Sequence, residues 1–137
     1  MINWESIDKR WEDEKYCLRE VKINGYNIKY VKNQTEKVCL EAVKQNGYAL
    51  QHIQEQTIEI CLVAVKQNGY ALQYAREQTI EICLEAVKQE GYALQFVKIQ
   101  TPEIVYYAFK NRPRIDINLI KITKEEWEEW RKTNDIK

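Results

Sequence analysis

The sequence predicts an all-α solenoid, and three observations carry that prediction. Cysteine, glycine and threonine each recur at a fixed step of 22 residues. Between these markers the apolar residues fill one broad helical arc instead of alternating. Glycine, with 4 copies, and proline, with 2, are too rare for a loop-rich or all-β chain.

The cysteines are Cys17, Cys39, Cys61 and Cys83. Gly25, Gly47, Gly69 and Gly91 keep the same spacing, and each precedes a tyrosine: Tyr26, Tyr48, Tyr70 and Tyr92. The pairs Gln34-Thr35, Gln56-Thr57, Gln78-Thr79 and Gln100-Thr101 recur in step with them. A fixed period in this range marks a repeat architecture, in which stacked units bury faces that no unit can bury alone. The register outlasts the spelling: Thr123 lies 22 residues after Thr101, Asp13 lies 22 before Thr35, and Trp4 lies 22 before Tyr26. The expectation is a right-handed or curved solenoid of about six helix-turn-helix repeats with tryptophan-containing end caps. A single domain would cover 1–137, with an N-terminal cap over 1–12, regular repeats over 13–110, and a degenerate repeat with a C-terminal cap over 111–137.

Each unit reads as two short helices. Thr35, Thr57, Thr79 and Thr101 stand where an N-cap belongs, and Asp13 stands in the same register. Pro102 then takes the first helical position, where its missing N–H costs nothing. Glu59, Glu81, Glu103 and Glu125 fall in the first turn and suit the helix dipole. Thr123 with Glu126 spells a capping box. The first helix should end at Asn-Gly, with the glycine in the left-handed conformation past the helix end. The second should run from the tyrosine to about the glutamine before the next threonine.

Asn-Gly is also a hairpin signal. Strands would alternate apolar and polar residues, and Ile60, Cys61, Leu62, Ala64 and Val65 do not. Tyr70, Ala71, Leu72, Tyr74 and Ala75 do not either. Arcs of roughly 200° imply helices buried from more than one side. The stretch 111–122 departs from the pattern: Pro113 replaces glycine, and Arg112, Arg114 and Asp116 interrupt the Tyr-Ala-Leu run. Ile115, Ile117, Leu119 and Ile122 keep an apolar face. A degenerate second helix fits the register, and a short strand from Ile115 to Ile120 is the alternative.

Lysine plus arginine is 21 and aspartate plus glutamate is 21, so no net charge draws the chain to nucleic acid or an anionic membrane. No apolar run approaches the ~20 residues of a membrane span. The start, Met1-Ile2-Asn3-Trp4-Glu5-Ser6, lacks the basic and apolar regions of a signal peptide, and a cytoplasmic or intracellular location is expected.

The cysteines suggest zinc or disulfides only until their spacing is read. Zinc signatures place cysteines two to four residues apart, and here none is closer than 22. Equivalent positions in stacked helices lie roughly 9–10 Å apart, beyond the ~7 Å Cα limit of a disulfide. Core packing is the expectation, with Val105 and Trp127 at the same position in later copies. His52, the only histidine, takes the place of Tyr30, Tyr74 and Phe96 and reads as a core or edge residue. There is no phosphate loop, nucleophile elbow or metal motif, so neither catalysis nor a cofactor is expected.

Three sets of residues are candidates for binding. Lys22, Lys44, Lys66, Lys88, Lys110 and Lys132 recur as a ladder that stacking would align. Each also suits the last turn of its own helix, where a cation complements the dipole. Gln45, Gln67 and Gln89 adjoin that ladder, and Gln51, Gln73 and Gln95 lie on the polar side of the second helix, where core formation gives no reason for glutamine. All four tryptophans, Trp4, Trp11, Trp127 and Trp130, lie in the end units. They either close the core or form a partner or dimer hot spot.

The phrase Glu-Ala-Val-Lys-Gln-Asn-Gly-Tyr-Ala-Leu-Gln at residues 41–51, nearly repeated at 63–73 and 85–95, resembles a short repeat family of giant viruses, bacteria and mobile elements. The match covers about residues 14–110. The resemblance implies short helical repeats and a viral or mobile-element setting, and it carries over no active-site residue. The functional expectation is a non-enzymatic protein-interaction module. Its sharper form is an inhibitor that a phage or mobile element uses against a host immune effector, such as a CRISPR nuclease. A protein partner is expected, with nucleic acid along the Lys/Gln ladder as the alternative. The chain would be a monomer, or a dimer through an end cap.

Overall fold

The computed structural model describes residues 1–137 and is helical throughout, with no strand. The α-helices are α1 (Trp4–Arg10), α2 (Glu14–Ile23), α3 (Glu36–Gln45), α4 (Ile58–Gln67), α5 (Ile80–Gln89), α6 (Pro102–Asn111) and α7 (Lys124–Thr133). Between them run 3₁₀-helices: η1 (Gly25–Tyr30), η2 (Gly47–His52), η3 (Gly69–Tyr74), η4 (Gly91–Phe96) and η5 (Ile117–Leu119).

One unit shows how the residues build the rest. Thr57 is extended and its hydroxyl accepts a hydrogen bond from the Ile60 N–H at 3.2 Å, which starts α4. Asn68 is extended at φ −152° and ψ 112°, and its N–H closes the last helical bond onto the Ala64 carbonyl. Its side chain accepts from the Tyr70 N–H at 3.0 Å. One asparagine thus ends α4 and caps η3. Ile60, Cys61, Ala64 and Val65 of α4 are buried, as are Ala71 and Leu72 of η3. The same caps operate at Thr35, Thr79, Thr101 and Asp13, and Thr123 forms the expected capping box with Glu126.

From α2 to α6, each α-helix packs on the next, and η1 to η4 do likewise, so two layers enclose a core of 29 buried residues. No polar or charged side chain is buried. The core therefore gains apolar burial without the cost of desolvating a charge. No helix is long and apolar enough to cross a membrane.

Three expectations need correction. The second element is shorter than predicted: η3 starts at the glycine and ends at Tyr74, four residues before Gln78. Six residues is already long for 3₁₀ geometry. The glycine is not left-handed, since no glycine has positive φ. It is needed for contact instead: a Cβ on Gly69 would stand 2.5 Å from the Ala86 carbonyl oxygen of the next unit. The tryptophans do not close both ends. Trp11 packs against the core and meets the rings of Tyr16 and Tyr30 at 5.2 and 5.3 Å. Trp4 is 70% exposed. Trp127 and Trp130 are half-buried against each other and Tyr106, outside the core, because α7 packs mainly on α6 and buries no residue. In the divergent segment a single 3₁₀ turn, η5, stands where the second element belongs, starting at Ile117 and not at the 113 that the period gives, and the alternative strand does not form.

Candidate functional site

The lysine ladder is exposed, and it is not a bare row of cations. Lys44 Nζ lies 3.0 Å from Glu41, and Glu85 lies 3.9 Å from Lys66 and 3.6 Å from Lys88. Lys88 also sits 4.7 Å from the Tyr107 ring centre, and Lys110 is about 6 Å from the rings of Tyr106 and Tyr107. These two carboxylates offset part of the positive field of Lys44, Lys66 and Lys88.

Gln45, Gln67 and Gln89 have a structural task that sequence reasoning missed. Their side-chain oxygens accept the N–H of Gly25, Gly47 and Gly69 in the preceding unit, at 2.6, 2.6 and 2.9 Å. Asn111 does the same for Gly91 at 2.8 Å. A buried glycine N–H at the start of a 3₁₀-helix has no partner in its own helix, and the amide supplies one. Gln51, Gln73 and Gln95 are exposed and donate to the carbonyls of Tyr48, Tyr70 and Tyr92 within their own 3₁₀-helices.

The glutamines that precede the threonine caps form a second amide row between units. Gln56 donates to the carbonyls of Leu50 and Tyr74, both at 3.0 Å, and accepts from the Arg76 N–H at 3.0 Å. Gln34, Gln78 and Gln100 repeat this pattern across their own junctions. An amide is suited to the place because it donates and accepts without charge. The signal lay in the sequence, since a glutamine repeated before four successive threonine caps asks for a hydrogen-bonding reason.

The cysteines are buried and unpaired, as core packing requires. Burial pushes the thiols of Cys39 and Cys83 up to about 11 and raises those of Cys17 and Cys61. Such thiols stay protonated near neutral pH and are poor nucleophiles. His52 meets Tyr26 edge-on at 5.8 Å, matching Tyr74 on Tyr48 at 5.9 Å and Phe96 on Tyr70 at 6.2 Å. It belongs to an aromatic ladder between units.

Two apolar features remain on the surface. Ile58 and Ile80 are 51% and 58% exposed at the first position of their helices. Half-buried Leu62 and Leu84 follow one turn later on the same face, leading to Lys66 and Lys88. At the other feature, a groove of about 640 Å³ opens between α6 and α7, lined by Val105, Phe109, Ile122 and Trp127 among others.

The model of a domain of unknown function, DUF4116, matches residues 13–57, 35–80 and 57–100. The chain belongs to this family. The three matches begin at Asp13, Thr35 and Thr57, which are the N-caps of α2, α3 and α4. A DUF4116 match therefore starts at a cap and spans about two units, and successive matches advance by one. No curated protein and no solved structure matches the chain.

Proposed function

We propose that this chain is a non-enzymatic module that binds a protein partner across the exposed face of its α-helical layer. The observation that carries the reading is the strip of Ile58, Leu62, Ile80 and Leu84, apolar residues brought into line by the repeat and flanked by both signs of charge. Exposed apolar residues that recur in one line mark interaction surfaces more than scattered ones do. The fitting partner has an apolar ridge with acidic and basic groups beside it. Trp127 and Trp130 extend the same face through Tyr106 and are hot-spot candidates.

Nucleic acid along Lys44, Lys66, Lys88 and Lys110 is the weaker reading. Glu41 and Glu85 would face the phosphates, and Gln45, Gln67 and Gln89 are already engaged between units. An inhibitor that occupies a host immune effector is one form of the protein-binding reading, because occupancy requires a rigid surface and no chemistry.

The test compares partner recovery by wild type, Ile58→Glu/Ile80→Glu and Lys44→Glu/Lys66→Glu/Lys88→Glu, each shown folded by circular dichroism. Loss of the partner with the isoleucine variant is expected. A nuclease-sensitive partner, lost with the lysine variant and released steeply by salt, would favour nucleic acid instead.

A further inference from the structure

We propose that a second copy of this chain docks its α1 into the groove between α6 and α7, so that copies join head to tail. The groove is lined by apolar side chains, including Phe109, Ile122 and Trp127, and by three lysines: Lys110, Lys124 and Lys137. No aspartate or glutamate lines it. Helix α1 is its complement. None of its residues is buried, Trp4 stands 70% exposed, and half-buried Ile7 follows one turn on. Exposed Glu5 accompanies them in the first turn and exposed Asp8 in the last, where Lys9 and Arg10 follow it. An apolar helix face laid in an apolar groove is a recurring recognition mode. Carboxylates meeting ammoniums across it would set direction and speed encounter.

The contact has to form between copies. α1 precedes α2, the first helix of the stack, in the chain, and the groove lies at the stack's other end, with α3, α4 and α5 between α2 and α6. Each copy offers a helix at one end and a groove at the other. That makes the contact heterologous, and it extends the array where a two-fold dimer would close it.

Sedimentation of the full chain at low salt over a range of concentrations tests this. Wild type is expected to exceed the 16.5 kDa of one copy as concentration rises. Glu5→Lys/Asp8→Lys and Lys110→Glu/Lys124→Glu change only exposed side chains, and each alone should remain a single copy. Mixed, the two variants again offer opposite charges at both contacts, and association should return. A wild type that stays a single copy at high micromolar concentration overturns the proposal. So does either variant associating as wild type does, or a mixture that fails to associate. Normal association by Glu5→Lys/Asp8→Lys together with loss in Lys110→Glu/Lys124→Glu would indicate groove-to-groove pairing. Native mass spectrometry finding a small molecule in the groove of a single copy would also overturn it.

Discussion

At the scale of the residue, small polar groups decide how units meet. Gly69 lies under the last turn of α5, its N–H held by Gln89 and its missing Cβ leaving room for the Ala86 carbonyl. The obstacle to a side chain is backbone, which cannot swing aside. Gly69→Ala is therefore expected to cost about 1–3 kcal/mol, the usual range for overpacking. Urea unfolding followed by circular dichroism checks it. Glu90 is a second case. It stands where the earlier units have Asn24, Asn46 and Asn68, and it both caps η4 and pairs with Arg112 through two contacts of 3.1 Å. The Arg112 guanidinium holds the Glu90 carboxyl below its ordinary value of 4.5. A depressed carboxylate stabilises the fold above its unfolded pKa, and that contribution is lost as pH falls through the folded one. Wild type should lose stability below about pH 4.5. Arg112→Gln should flatten that acid limb, as read from unfolding midpoints between neutral and acid pH.

At the scale of the element, burial sets a gradient along the chain. Helices α3, α4 and α5 each bury four residues, while α1 and α7 bury none. Opening free energy follows buried contacts. Amide exchange should therefore be fastest in α1 and α7 and slowest in α4 and α5, and uniform protection along the chain would refute this ordering. The capping box of α7 does not change the expectation, because a cap adds about 1 kcal/mol and cannot replace a packed face. The same comparison shows what was legible. Every threonine cap was readable because the first helical hydrogen bonds are local. The 3₁₀ form of the second element was not, because Gln56 and its equivalents reach across units to satisfy its last carbonyls.

At the scale of the whole molecule, stability should add up unit by unit. Each interior unit meets its neighbours through the same apolar positions and the same two amide rows, so a nearest-neighbour account applies. Deleting residues 57–78 joins Gln56 to Thr79 and leaves every junction with its usual partners. The shortened chain is expected to fold with unchanged helical signature, a lower midpoint and a smaller denaturant slope, since the slope follows the surface exposed on unfolding. Failure to fold would contradict the additive picture. The surface is also repetitive, and for that reason the strip of Ile58 and Ile80 and the divergent C-terminal groove carry the distinctive information.

The period, the helical class, the caps and the core identity of the cysteines are all legible along the chain. Each of these rests on residues close together in the chain, or on repetition that brings the same residue back at a fixed step. What glycine and glutamine are for emerges from the packing of one unit on the next. Their partners lie about one unit away: Ala86 crowds Gly69, Gln89 receives its N–H, and Gln56 bridges two 3₁₀-helices. The same packing also decided that Glu41 and Glu85 stand beside Lys44, Lys66 and Lys88, and that Trp4 and Trp127 remain outside the core. Such contacts depend on how far one unit turns and shifts on the next, and no spacing within a single unit encodes that.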